Sequence, residues 1–129
     1  MLVVLDTNVL VSALMSKNGA PADILRLVLA DRLTPCIDAR IMCEYTEVLQ
    51  RPKFGFSKGE INSLLDWFKY YGESVNAEPC DISFTDESDK KFYEVAVHCG
   101  AVLITGNLKH YPKRKFIIGV SDFLKKLGV

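Results

Sequence analysis

The residues best placed to do chemistry in this 129-residue chain are acids. Asp6 interrupts the aliphatic run MLVVLDTNVLVSAL, in the company of Thr7 and Asn8. Glu44 borders the apolar stripe of Ile41, Met42, Tyr45, Val48 and Leu49, roughly 100° from its centre, whereas Glu47 points nearly opposite and reads as a solvated charge. Asp89 lies three residues before Phe92, on the face that Phe92, Val95, Ala96 and Cys99 define. Carboxylates brought close together repel, and one must protonate unless a cation lies between them. Hard oxygen donors suit Mg2+ or Mn2+, ions that keep several waters and engage phosphate oxygens. No serine, cysteine or histidine stands beside a base as an obvious nucleophile, so a metal-activated water is the natural attacker. Each acid also has an ordinary explanation: Asp6 as a helix N-cap, Glu44 as a snorkelling surface residue, Asp89 as a first-turn acid favoured by the helix dipole. Asp86 reads as a cap or rim acid with a weaker claim on the site.

These side chains act together only if the fold gathers them. The valine-rich run LVVL is of strand length and continuously apolar, as in strands covered on both faces. AVLIT and KFIIGV read the same way, LTPCI as a short strand and ESVNA as a further one. Helices are expected over VLVSALM, APADILRLVLADR, ARIMCEYTEVLQR, SKGEINSLLDWFKYYG, SDKKFYEVAVHCG and SDFLKKLGV. Pro52 stops the third, Ser57 and Glu60 are spaced as a capping box, and Gly72 and Gly100 close helices. Alternating strands and helices predict an α/β fold with a parallel sheet and helices on both faces. Sites in such sheets form at the carboxyl ends of strands. Asp6 ends LVVL and Thr105-Gly106-Asn107 end AVLI, so both clusters share a crevice if those strands are neighbours.

VLDTNVLVSAL, EYTEVLQRPKF, DKKFYEVAVHCGAVLITGN and SDFL, in that order and over almost the whole chain, resemble the PIN-domain family. The likeness is to its branch of VapC-like toxins of toxin–antitoxin systems. The resemblance implies a three-layer α/β/α fold in a single domain over residues 1–129. It also implies a Mg2+- or Mn2+-dependent endoribonuclease, often a homodimer and often silenced by a cognate antitoxin. By motif, Asp6, Glu44 and Asp89 would be the catalytic acids and metal ligands, with Thr7, Asn8 and Thr105 holding them by hydrogen bonds. This chain departs from the family pattern at Asn107, where an aspartate is common. The amide brings no charge, which puts a second metal in doubt unless Asp86 folds inward. The alternative is a PIN fold with weakened or lost nuclease activity, serving as a protein- or RNA-binding module.

RNA contact requires cations. Lys109, His110, Lys113, Arg114 and Lys115 follow the AVLIT strand end, and Arg51 and Lys53 are similar candidates; a solvated turn around Pro112 is the ordinary reading. Tyr45 and Tyr111 are candidates for base stacking, although tyrosines on helix stripes more often belong to the core. His98 is assigned no chemistry. Lys+Arg and Asp+Glu both number 16, which argues against a general polyanion-coating role. Cys36, Cys43, Cys80 and Cys99 have no zinc-like spacing and read as buried free thiols. They fit a reducing cytoplasm, as does an N-terminus resembling neither a signal peptide nor a membrane span. LLDWFKYYG offers more apolar surface than one helix face needs, some of it for a second subunit or an antitoxin helix. A phosphorylatable receiver would need adjacent acids beside Asp6, and a haloacid-dehalogenase-like phosphatase an aspartate at position 8. Neither is present.

Overall fold

A computed structural model describes residues 1–129. Its elements in chain order are β1 (Leu2–Leu5), α1 (Thr7–Met15), α2 (Ala20–Leu29), β2 (Thr34–Ile37), α3 (Ala39–Leu49), α4 (Lys58–Tyr71), β3 (Glu73–Ser74), α5 (Lys90–Cys99), β4 (Val102–Ile104), β5 (Ile117–Ile118) and α6 (Val120–Leu127). The strands form one parallel sheet in the order β3-β2-β1-β4-β5, and the six helices flank it in an α/β/α arrangement. The expected fold class is therefore the observed one. Strands β3 and β5 are shorter than ESVNA and KFIIGV suggest.

The strand order turns around at β1, which pairs with β2 on one side and β4 on the other. That is the switch point at which α/β sheets open a crevice beyond their strand ends. Val3, Val4, Leu5, Leu103 and Ile104 are buried there, so both central strands are covered on both faces as their unbroken apolar runs require. Helix α2 packs against α1 and α6, and α3 packs against α4 and α5. Tyr45 of α3 is fully buried between the rings of Phe68 and Phe92, 5.7 and 6.3 Å away. Its hydroxyl donates to the Leu5 carbonyl, tying α3 to the end of β1.

Local chemistry sets the helix ends. Ser57 accepts from the Glu60 N–H at 3.1 Å and starts α4, as the capping-box spacing anticipates. Gly72 ends it where the chain turns into β3. A Cβ there would lie 2.3 Å from the Phe68 carbonyl oxygen and 2.9 Å from that of Pro35, so no larger residue fits. Leu64, Leu65 and Phe68 of α4 are internal, whereas Tyr70 and Tyr71 are 82% and 56% exposed. The cysteine expectation is corrected: all four are free, but only Cys36 is buried, Cys80 and Cys99 are half-buried and Cys43 is exposed on α3. No helix is long and apolar enough to cross a membrane.

Between β3 and the turn Glu87–Asp89 the chain runs without regular structure, and Glu94 of α5 fastens it. Glu94 accepts from the Cys80 N–H at 2.7 Å and from Arg40 at 2.6 Å. Arg40 in turn bonds Asp38, the cap of α3. Burial pushes the Glu94 carboxyl up, but Arg40 and the Cys80 N–H together outweigh it and hold it below its ordinary 4.5. A depressed acid stabilises the fold above its unfolded value and loses that contribution as pH falls through the folded one. Glu94→Gln is expected to cost about 1–2 kcal/mol at neutral pH, modest because Arg40 is half-exposed. It should also flatten the fall in stability below about pH 4.5. Urea unfolding across that range measures both, and parallel curves for the two proteins would contradict the assignment.

Candidate active site

Asp6 is the residue after β1, and its backbone N–H donates to the Ile104 carbonyl at 3.0 Å, locking the ends of β1 and β4 together. Its carboxylate is 5% exposed. Oδ2 accepts from the Thr105 hydroxyl at 2.8 Å and from the Tyr111 hydroxyl at 3.0 Å. Burial pushes this carboxyl above its ordinary value and the charge of Glu44 adds to the effect, while the two hydroxyls oppose it. Asn8 accepts from the Gly106 N–H at 3.1 Å, and a Cβ on Gly106 would meet that same oxygen at 3.3 Å. Thr105 also accepts from the Asn107 N–H at 3.0 Å.

Glu44 comes from α3. The Thr7 hydroxyl donates to its Oε2, and Lys91 of α5 stands 2.6 Å from its Oε1. Asp89 caps α5 by position but bonds no helix N–H. Its Oδ2 is buried, and His110 Nδ1 stands 3.3 Å from it, at ion-pair distance. Burial raises the Asp89 carboxyl, as do the charges of Asp6 and Asp86, against the pull of His110. Asp6, Glu44 and Asp89 are thus electrostatic neighbours. No three His, Cys, Asp or Glu side chains are drawn close enough to clasp one ion among themselves.

The remaining expected residues divide. Asp86 is exposed and caps the turn Glu87–Asp89, taking the Ser88 N–H at 2.9 Å and the Ser88 hydroxyl at 2.7 Å; these bonds hold it below its ordinary value. The Asn107 side chain is exposed and makes no hydrogen bond. Lys109, Lys113, Arg114 and Lys115 are all exposed, as is His98. Arg51 is paired with Glu47 at 2.9 Å, and Lys53 lies 5.1 Å over the Phe54 ring. Base stacking by Tyr45 or Tyr111 is overturned, because both rings are buried.

Sequence reasoning misses one member, Lys91, and misjudges two others, Tyr111 and His110. Lys91 looks like a solvated lysine in a first helical turn, and its pairing with Glu44 spans two helices. The Asp6 contact of Tyr111 spans 105 positions and leaves no local trace. His110 reads as one more surface cation. Two open clefts adjoin the acids. One, of about 720 Å³, includes Glu44, Lys90 and Lys91; the other, of about 620 Å³, includes Thr105, Asn107, Lys109 and His110.

The sequence profile of the PIN domain matches residues 2–109. An uncharacterized protein of Methanocaldococcus jannaschii is 34% identical over 109 residues, spanning 81% of this chain and 70% of the relative. Among solved structures, VapBC2 from Rickettsia felis, bound to a DNA fragment from their promoter, superposes with a TM-score of 0.59 at 23% identity. The match covers 92% of this chain and 97% of that one.

Proposed function

The chain belongs to the PIN-domain family, and from that premise we propose that it is a Mg2+- or Mn2+-dependent endoribonuclease, the toxin of a toxin–antitoxin pair. One observation carries the nuclease reading. Asp6, buried at the switch point of a parallel sheet, is an electrostatic neighbour of the half-buried Asp89, whose Oδ2 is buried without a hydrogen-bond partner. A divalent cation would relieve both the mutual repulsion and the orphaned oxygen. The donors fit a hard ion that keeps several waters and takes few protein ligands. Asp6, Asp89 and Glu44 would hold it.

When bound, such an ion supplies Lewis acidity toward a phosphate oxygen and lowers the pKa of a water. The chain's own residues prepare the site. Thr105 and Tyr111 fix one oxygen of Asp6, Thr7 and Lys91 fix Glu44, and the Asn8–Gly106 bond holds the two strand-end loops together. Burial of Asp6 and of one Asp89 oxygen reduces the screening of their charge by bulk water.

RNA would approach along the clefts, where Lys90 and Lys109 meet the polyanion. Lys113, Arg114 and Lys115 extend that positive edge. Charge reversal at Lys113 and Arg114 together is expected to weaken RNA binding about tenfold or more and to reduce the salt slope by roughly 0.7 per lost contact. Fluorescence anisotropy over a salt series tests this, and an unchanged slope would remove the patch. The antitoxin partner and a homodimer follow from the motif resemblance, supported by the fold shared with the VapBC2 chain.

A second reading is a PIN-fold binding module without cleavage. The neutral Asn107 outside the acid network and the Lys91 cation already on Glu44 favour it. Cleavage of an RNA pool by purified protein with Mn2+ separates the two.

A further inference from the structure

Both tyrosines considered for base stacking are buried, but a solvent-accessible aromatic pair follows α3. Phe54 and Phe56 are half-buried, with ring centroids 5.6 Å apart and planes 11° from parallel. Phe56 packs against the hydrophobic core, whereas Phe54 takes no part in that packing. A ring held off the core on a second ring has a face to offer another π-system.

The turn that presents the pair is ordered. The Phe54 N–H donates to the Arg51 carbonyl at 3.1 Å and the Gly55 N–H to the Pro52 carbonyl at 3.2 Å. Gly55, between the rings, takes a left-handed φ of 66° that suits glycine. Lys53 Nζ lies 5.1 Å over the Phe54 ring, and the exposed Lys58 shares a cleft with Phe56. An exposed cation–π contact is weak, so Lys53 can leave the ring for a phosphate.

Concave surface joins this pair to the acids. The cleft that includes Glu44 shares Cys43 and Glu47 with another of about 690 Å³ between α3 and α4. That one shares Gln50 and Asn62 with a third, of about 400 Å³, beside Phe56 and Lys58. At the α-helical rise, Gln50 stands about 9 Å along α3 from Glu44, so the path is a few nucleotides long. Glu47, the carboxylate on the way, is paired with Arg51 at 2.9 Å.

We propose that the Phe54–Phe56 pair is a stacking subsite for one unpaired base of the RNA strand that passes Glu44, with Lys53 and Lys58 on the flanking phosphates. This rests on the RNA reading above. Every base has a π face, so the subsite grips the strand without reading its sequence.

The test is fluorescence anisotropy with a short single-stranded oligouridylate and with an RNA duplex, in EDTA, beside a Mn2+ cleavage assay. Phe54→Ala and Phe54→Leu should weaken single-strand binding about fivefold or more, the scale of base–aromatic stacking, while Phe54→Trp retains it. Duplex affinity should not change, since a duplex has no unpaired base to give. Phe54 stands off the core, so the variants should fold, and circular dichroism checks this. Equal loss on both RNAs, or full binding by Phe54→Leu, overturns the proposal. Unchanged binding by Phe54→Ala, with a wild type that cuts RNA, overturns the subsite and leaves the nuclease reading standing. If Phe54→Ala instead alters the oligomeric state in light scattering and not RNA binding, the pair is a contact between copies and the subsite falls. A wild type that binds through Phe54 without cutting upholds the subsite and removes the nuclease reading. A wild type that binds no RNA overturns both.

Discussion

Asp6→Asn and Asp89→Asn are each expected to lower the proposed Mn2+-dependent RNA cleavage by more than a hundredfold, beyond the roughly 10–100-fold typical of changes just outside a metal's ligands. An amide keeps the shape of either carboxylate, so the fold should survive. In the Asp6→Asn variant the side-chain carbonyl oxygen can still accept from Thr105 and Tyr111, the two donors that hold Asp6 now. What disappears is the negative charge that attracts the ion. That charge burdens the fold without metal, since burial and Glu44 both disfavour ionised Asp6. Thermal midpoints of both variants in metal-free buffer should therefore equal or exceed that of the wild type, while added Mn2+ stabilises only the wild type. Cleavage by either variant within a few-fold of wild type would end the assignment of these acids.

Tyr45→Ala is the substitution expected to damage stability most, by about 3–5 kcal/mol. The ring fills the space between Phe68 and Phe92, and its hydroxyl is the link from α3 to the Leu5 carbonyl, one residue before Asp6. Tyr45→Phe separates the two contributions. It keeps the ring and removes only the donor to that buried carbonyl, for about 1–3 kcal/mol. Denaturant unfolding followed by circular dichroism measures both. A Tyr45→Ala loss below about 1 kcal/mol would mean that the aromatic cluster collapses around the gap. Because that hydroxyl couples the helix of Glu44 to the end of the strand before Asp6, Tyr45→Phe is also expected to slow the proposed cleavage at temperatures where it is fully folded.

Local pattern carries most of the architecture. Unbroken aliphatic runs mark β1 and β4 because both faces of these strands are covered, and helices announce themselves through their 3.6-residue stripe and their caps. The two shortest strands, β3 and β5, contribute only two residues each, too few for a pattern, so sequence alone overestimates their lengths. At the site, Asp6, Glu44 and Asp89 stand out as acids breaking or bordering an apolar pattern. The groups that answer them do not. Lys91, His110 and Tyr111 occupy a helix start and a proline-containing turn, where lysine, histidine and tyrosine are ordinary, and their meaning comes from partners many residues away. Glu94 escapes notice for the same reason: its buried carboxylate is explained by Arg40, which is 54 positions distant. Cys43 shows the converse error, a residue assigned to the interior by its type and placed outside by its helix face.

Thr105 and Tyr111 reach Asp6 across 99 and 105 positions. Ribosomes add about 5–20 residues per second. The nascent chain therefore carries its first acid for several seconds before either hydroxyl that orients it has been synthesised. A polypeptide released anywhere before Tyr111 would hold the aspartate and lack at least one of the two hydroxyls that orient it. The orientation of that carboxylate is thus completed only once translation has passed the tyrosine.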